Sequence, residues 1–412
     1  MKELSFSVCG CGCRGTWLTD NVLTSLEDVT IVAVCDPYED KAQDLADLIE
    51  KKGFARPQVF TEHEVMFDTV PTDAVLDATS WEAHVPVAVA AMRRGIAVAM
   101  EVGGAQSEEE CRELIRVQTE TGTPFMLMEN CCYGKEELLA TSLARNGKFG
   151  EIVYCQGAYA HDLRAEVAYG EKNRHYRIKH YSTRNGENYP THEFGPIARL
   201  LHITRGNRML KLSAFASKAR GLHEYVQGRE DLAHLKDFAF TQGDIVETLI
   251  TCENGELIRI RLDTTLPRYY SREFTVRGTR GLYNQDANMV MIEGDGATEY
   301  FNTAETIKAN INNADRYDDY LPAIWRDVDP EVLEKGHGGM DWFVFMAFVD
   351  ALREGKPMPI DVYDATAWMC ITYLSELSIK NGGTPVDVPD FTDGAWRDRA
   401  PVDVVEFPIL NR

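Results

Sequence analysis

The stretch Leu4-Ser-Phe-Ser-Val-Cys-Gly10-Cys11-Gly12-Cys13-Arg14-Gly15 decides the fold. Leu4–Val8 reads as a buried strand, and the glycines after it follow the spacing G-x-G-x-x-G. In that spacing the first glycine permits a tight turn, the second lets backbone approach a pyrophosphate, and the third lets a helix pack closely on the strand. The helix N-terminus then offers N–H groups and a positive dipole end to the phosphates. A second apolar run, Ile31–Cys35, ends at Asp36, about 20 residues further on, where a carboxylate meets the adenosine ribose hydroxyls. An acid there repels a 2′-phosphate, so the cofactor is expected to be NAD rather than NADP, a preference that only Arg14 tempers. The expected nucleotide set is Gly10, Gly12, Cys13, Arg14, Gly15 and Asp36. The competing reading is a glycine turn that binds nothing.

Outward from this loop, short apolar strands alternate with helical stretches as far as Met128, the pattern of a doubly wound parallel sheet. Asp73–Thr79, Ile96–Met100 and Pro124–Met128 read as strands, and Val85–Arg94 as a helix. Ser107 with Glu110 marks a capping box for the helix Ser107–Thr121, which Gly122 ends. Ligands of such sheets bind beyond the carboxyl ends of the strands. Thr79, Ser80, His84, Glu101 and Glu129 therefore fall on the cofactor side. After the helix Lys135–Asn146 the strands lengthen and alternate: Ile152–His161, Met209–Ser217, Gly243–Glu253, Glu256–Asp263 and Arg272–Gly278, with a hairpin turn at Asn254-Gly255. The expected fold is α/β, with an N-terminal Rossmann domain (1–129) and a C-terminal α+β domain (130–412) built on a large mixed or antiparallel sheet for substrate binding and oligomerisation. Two long polar stretches, Asp162–Asn188 and Asn302–Lys335, are expected as loops forming a substrate-facing wall, and Met340–Arg353 and Val362–Lys380 as closing helices.

Composition narrows the classes. The 412 residues suffice for two domains. The net charge of −22 argues against nucleic acid or an anionic membrane surface as partner. The first strand starts too close to Met1 for a secretory leader, and the longest apolar stretch, Val85–Met92, is too short to span a bilayer. A cytoplasmic location follows as an expectation. Among the 10 cysteines, Cys9-x-Cys11-x-Cys13 and Cys131-Cys132 lack the paired spacing of a zinc site. Free thiols in a reducing compartment and no metal are expected.

The second half carries clusters of Tyr, His and Arg suited to a polyhydroxylated ligand. Tyr159 and His161 lie two apart on one strand and so share a face. Tyr189 and His192 lie three apart around Pro190, where a helix Thr191–Ile203 is predicted to begin. Each taken singly could be an ordinary core or satisfied polar residue; with Glu129 at a strand end, together they point to a site.

With Asp77-Ala-Thr-Ser-Trp-Glu-Ala-His84 and Glu101-Val102 in a Rossmann domain, followed by a mixed-sheet domain, the chain resembles the Gfo/Idh/MocA oxidoreductases. More narrowly it resembles glycoside hydrolase family 109, through Met128-Glu-Asn-Cys-Cys-Tyr133, Gly157-Ala-Tyr-Ala-His-Asp-Leu-Arg164, Tyr189-Pro-Thr-His192, Arg205-Gly-Asn-Arg208, Gly336-His-Gly-Gly-Met-Asp341 and Asp361-Val-Tyr-Asp364. The resemblance implies an NAD-dependent α-N-acetylgalactosaminidase with no net redox change. Hydride passes from sugar C3 to NAD+, a base removes the acidified C2 proton, the aglycone leaves C1, water adds, and the hydride returns. By position, the resemblance makes His192 the base at the C3 hydroxyl and Tyr159 the base at C2, and Glu129, His161, Tyr189, Arg177, Tyr270 and His337 substrate contacts. It also implies a homo-oligomer built on the open face of the second sheet.

Two positions depart from the family pattern. Where many dehydrogenases of the wider class carry E-K-P, this chain has Glu101-Val102-Gly103, so the lysine that assists hydroxyl oxidation is missing. Val102 fits the glycosidase subgroup, but Gly103-Gly104 replaces its proline, and a looser turn is expected. Glu193-Phe194 stands after His192 in place of small and aliphatic residues, with Glu193 either near the sugar or, slightly favoured, solvated on the first helical turn. Two alternatives stay open: a sugar or glycoside 3-dehydrogenase that releases NADH, and a catalytically idle NAD-binding sensor or partner subunit.

Overall fold

A computed structural model describes residues 3–295 and 303–410. Two compact units emerge. The first comprises Met1–Asn130 and Asp329–Cys370, the second Cys131–Val328 and Ile371–Arg412. Packing thus gives the first unit a stretch, Asp329–Cys370, that the sequence boundary near 130 assigned to the second. Within that unit the ring of Phe348 lies edge-on to Phe6 at 6.2 Å. The backbone N–H of Ala105 donates to Met369 O, and that of Leu127 to Ile360 O, each at 3.2 Å.

The first unit holds six parallel strands: β1 (Leu4–Cys9), β2 (Val29–Cys35), β3 (Gln58–Phe60), β4 (Ala74–Asp77), β5 (Ala97–Met100) and β6 (Phe125–Leu127). Their order, β3-β2-β1-β4-β5-β6, is that of a doubly wound dinucleotide-binding sheet and reverses between β1 and β4. The inner strands β1, β4 and β5 are short and almost wholly buried, as expected where helices cover both faces. Ser107 caps its helix as expected, its Oγ accepting the Glu110 N–H at 3.2 Å, while the Glu110 carboxylate reaches past the cap to accept the Gln106 N–H at 2.7 Å. The helix expected at Val85–Arg94 begins four residues earlier, running Trp81–Met92 with Pro86 inside it.

The second unit is built on an eight-stranded sheet of β7 (Ile152–Ala160), β8 (Met209–Ala216), β9 (Ile245–Cys252), β10 (Leu257–Asp263), β11 (Thr275–Gly278), β12 (Gly281–Asn284), β13 (Met289–Ile292) and β14 (Val386–Asp387). The order is β13-β12-β11-β7-β10-β9-β8-β14, with β7 and β10 parallel and the other neighbours antiparallel. One face of β7 is covered by the helix Thr191–Leu200. A Cβ on Gly157 would stand 2.2 Å from Glu193 O, so only glycine lets helix and strand meet this closely. Tyr159, two residues on, points to the same covered side. The opposite face stays open, with Phe215, Leu249 and Leu257 exposed.

Two expectations need correction. Asp162–Asn188 is not a loop but three short helices, Arg164–Ala168, Gly170–Asn173 and Arg177–Thr183, which bury Val167, Ala168, Ile178 and Tyr181. Elements of one or two turns carry too few apolar repeats to be read as helices. Asn302–Lys335 likewise holds short helical turns from Thr303 onward, Asn302 lying outside the described residues.

Candidate active site

In the first unit, the three glycines of the loop differ physically. Gly10 has φ +89°, and a Cβ there would stand 2.3 Å from Ala78 O. A Cβ on Gly15 would stand 1.9 Å from Gly10 O. A Cβ on Gly12 would meet nothing within 4 Å. Gly12 caps the helix Cys13–Asn21 without a side-chain acceptor, so first-turn N–H groups remain available beside open space. That is the cradle a pyrophosphate needs. Asp36, 6% exposed, is aimed by its own hydrogen bonds: Oδ2 accepts the Cys11 N–H and Oδ1 the Tyr38 N–H, both at 2.9 Å. These residues fit NAD.

Thr79 lies just beyond β4 and is held from two sides. Its hydroxyl donates to Asp77 Oδ1 at 2.6 Å, and its carbonyl lies 3.1 Å from His84 Nε2. Burial pushes the Asp77 carboxyl up to about 8 and pulls the His84 imidazole down to about 4, so both are neutral near pH 7. Glu101 follows β5 and Glu129 follows β6; both are buried. The turn after Glu101 is not loose: a Cβ on Gly103 would stand 2.5 Å from Trp81 Cδ1, because the indole lies against the bare glycine.

Arg14 does not stand free for a 2′-phosphate. Its guanidinium forks onto Asp341 with two bonds of 2.8 Å and reaches Glu101 at 3.1 Å. Asp341 is fully buried and also accepts from Asn130 Nδ2 at 2.6 Å. Its Oδ2 lies 2.9 Å from His337 Nδ1. Burial would raise the Asp341 carboxyl, but the Arg14 bridge, seconded by His337, holds it well below the usual carboxylate range. His337, expected as a substrate contact, thus belongs to the first unit as a partner of Asp341. Asp341 itself was not singled out from sequence; its signal lies in the Gly336-His-Gly-Gly-Met-Asp341 run, whose three glycines all have positive φ.

In the second unit the four expected Tyr and His residues come together. Ring centroids are 4.5 Å apart for Tyr159 and Tyr189, 4.8 Å for Tyr189 and His192, and 5.6 Å for Tyr159 and His192. His161 stacks on Tyr159 at 6.0 Å and meets Tyr270 edge-on at 5.3 Å. Tyr159, Tyr189 and His192 are each 8% exposed. The Arg177 guanidinium lies 5.1 Å over the Tyr189 ring and is paired with Glu166 Oε1 at 2.9 Å. Burial raises the Tyr159 phenol, and the Arg177 charge works against that rise. Cys131, weighed in the sequence only as a thiol beside Cys132, brings its Sγ within 4.8 Å of a His192 ring nitrogen. Glu193 is neither solvated nor turned to an open site: it is 1% exposed, and its Oε2 accepts the Arg261 N–H at 2.8 Å.

The six-stranded sheet with its glycine loop defines an oxidoreductase-type nucleotide domain, and residues 4–128 match the oxidoreductase family with an NAD-binding Rossmann fold. Residues 133–398 match the C-terminal domain of glycosyl hydrolase 109. The chain belongs to glycosyl hydrolase family 109. It is 38% identical to a glycosyl hydrolase family 109 protein of Stenotrophomonas maltophilia (strain K279a), covering 97% of this chain and 92% of that one. It is also 38% identical to an alpha-N-acetylgalactosaminidase of Tannerella forsythia, covering 97% and 88%. Among solved structures, myo-inositol 2-dehydrogenase from Lactobacillus plantarum superposes with a TM-score of 0.66 at 16% identity, covering 94% of this chain and 100% of that one. At that identity the likeness concerns fold alone.

Proposed function

We propose that this chain is an NAD-dependent glycosidase that cleaves an α-N-acetylgalactosaminide or a related sugar, with the nucleotide held by the first unit and the sugar by the second. The observation that carries the reading is the mutual packing of Tyr159, Tyr189 and His192 with Arg177 laid over Tyr189. Bound NAD supplies a reversible hydride acceptor for sugar C3. His192 takes the proton of the C3 hydroxyl as that carbon is oxidised. Tyr159 then takes the C2 proton, which the neighbouring C3 carbonyl has acidified, and the aglycone departs from C1 by elimination. Arg177 favours this step by stabilising the phenolate. After water adds at C1, its displaced proton balancing the one the departing aglycone takes up, Tyr159 and His192 return their protons to C2 and, as C3 is re-reduced, to the C3 oxygen. His161, Tyr189 and Tyr270 hold sugar hydroxyls or the acyl group.

Hydrolysis through paired carboxylates needs two acids reaching the sugar, about 5 Å apart for retention. The buried acid pair of this unit, Glu187 and Glu193, is 0% and 1% exposed and is committed to backbone amides of Tyr189 and Arg261 rather than to a ligand. Nitrophenyl glycosides of both anomers, assayed with and without added NAD+ while absorbance is followed at the NADH wavelength, test the proposal. Hydrolysis without net NADH and with solvent deuterium entering C2 is expected. Accumulating NADH would instead make the chain a sugar 3-dehydrogenase, against which Val102 already counts. Exposed Phe215, Leu249 and Leu257 support a homo-oligomer across the open sheet face, checked by sedimentation. A reducing, cytoplasmic setting is supported by the 10 cysteines, 9 of them buried, which lack the paired spacing of a disulfide or zinc framework. No helix among the described residues is long and apolar enough to cross a membrane.

A further inference from the structure

The segment Glu187-Asn-Tyr189-Pro-Thr-His192-Glu193 places a buried carboxyl on either side of two site residues. Glu187 is anchored through its own N–H to Ser375 Oγ at 2.8 Å, and its Oε1 accepts the Tyr189 N–H at 3.2 Å. Glu193 reaches the sheet, where its Oε2 accepts the Arg261 N–H and its carboxyl also bonds the backbone of Tyr159. Arg261 neighbours Leu262, the β10 residue in register with Tyr159. Glu187 Oε2 and Glu193 Oε1 are buried and have no donor among the described residues, and the two carboxyls adjoin one another. Two adjoining carboxylates this deeply buried cannot readily both stay charged; one proton held between them satisfies both orphaned oxygens.

We propose that Glu187 and Glu193 form a proton-sharing pair of positioning residues that holds Tyr189 and His192 against Tyr159, so that the active geometry persists only while the pair keeps its proton. This rests on the catalytic assignment of Tyr159 and His192. The groups facing the pair are Glu247 from β9, Tyr159 from β7 and the Arg261 N–H from β10; the Arg261 guanidinium is taken up by Glu247 and Glu273. Burial pushes Glu187 up to about 7 and moves Glu193 in the same direction, the charge on Glu247 adding to the rise at Glu187. Above that range a second buried charge appears, and repulsion between the two carboxylates drives them apart against the pull of the Tyr189 and Arg261 amides.

The test compares Glu193→Gln, Glu187→Gln and Glu193→Gly in the full chain with bound NAD. Each Gln fixes N–H donors where the proton sits. Glu193→Gln should keep kcat within about threefold near neutrality and carry the alkaline fall of kcat upward by about one pH unit or more. Glu193→Gly should lose about tenfold in kcat with KM within about twofold. Superimposable pH profiles for wild type and both Gln variants would overturn positioning, and this comparison does not need Glu193→Gly to fold. Melting temperature gives a reading free of turnover. A carboxyl raised on folding stabilises fully below its unfolded value, and that contribution fades as pH rises through the folded one. The melting temperature of wild type relative to Glu193→Gln should therefore drop between about pH 4.5 and 7; a flat difference would overturn the shared proton. Should wild type produce NADH from free sugar but hydrolyse no glycoside, the glycosidase reading alone fails, and the same pH comparison is made on that absorbance.

Discussion

Replacing each of the three loop glycines by alanine should give three different proteins. At Gly10 the left-handed backbone costs an alanine about 1–2 kcal/mol. The new methyl also overlaps the Ala78 carbonyl at 2.3 Å, where backbone must give way, as in overpacked cores that lose about 1–3 kcal/mol. The sum, about 2–5 kcal/mol, is a large part of a typical domain stability of about 5–15 kcal/mol. With a urea slope of about 2 kcal/mol/M, the midpoint of Gly10→Ala should fall by about 1–2.5 M. At Gly12 the backbone is extended (φ −73°, ψ −173°) and nothing lies within 4 Å, so Gly12→Ala should stay within about 0.5 kcal/mol of wild type. Its methyl instead fills the space reserved for the pyrophosphate and should weaken NAD about tenfold or more, near 1.4 kcal/mol. Gly15→Ala, pressed to 1.9 Å of Gly10 O, should fail on both counts. Urea titrations of NAD-free protein, paired with NAD binding by quenching of intrinsic fluorescence, separate the outcomes. Undiminished NAD affinity in Gly12→Ala, or wild-type stability in Gly10→Ala, would refute the reasoning.

Tyr159→Phe should block exchange of the C2 proton with solvent deuterium yet still allow C3 oxidation, visible as trapped NADH absorbance; retained exchange would place the C2 base elsewhere. His192→Ala should lose turnover while the protein purifies with an unchanged complement of NAD, and loss of nucleotide would contradict its place in the second unit. Asp341→Asn leaves Arg14 and His337 without their buried anion and should cost about 3–5 kcal/mol near neutrality. Because the folded value of Asp341 is depressed, that cost is full above about pH 4 and shrinks as acid protonates the wild-type carboxyl, which pH-dependent urea midpoints can follow.

The elements legible in the sequence are those whose pattern repeats. Leu4–Cys9 with its glycines, the capped helix after Ser107 and the alternating strand Leu257–Asp263 each announce themselves over six residues or more. Strands β12 and β13, with 4 residues each, and β14, with 2, are too short to show a period, and tertiary pairing rather than local pattern makes them strands. The Tyr159, His161, Tyr189 and His192 set was legible because strand and helix spacings fix shared faces. Asp341 and the Glu187–Glu193 pair were not, since a buried acid looks like a solvated one until its partners arrive from elsewhere in the chain. Glu193 shows this best: helix-dipole reasoning favoured solvent, but the bare Gly157 lets the helix sink onto β7 and leaves that side chain no route outward.

Tyr159 clarifies why oxidation should precede cleavage here. A buried phenol with a raised proton affinity is a poor match for the leaving-group and nucleophile work done elsewhere by carboxylates, and it is equally unable to remove an ordinary C–H proton. Its basicity becomes useful only against a carbon made acidic by an adjacent carbonyl, and then the Arg177 charge that offsets its burial matters, since it keeps within reach the phenolate, the only form of Tyr159 that accepts a proton. Arg177 itself can serve Tyr159 because its charge is shared with Glu166 rather than cancelled by a carboxylate in the phenol's place. A hydride acceptor that creates the C3 ketone and later refills it is therefore the missing complement to this cluster, and with no net electron transfer it never needs to exchange with solution.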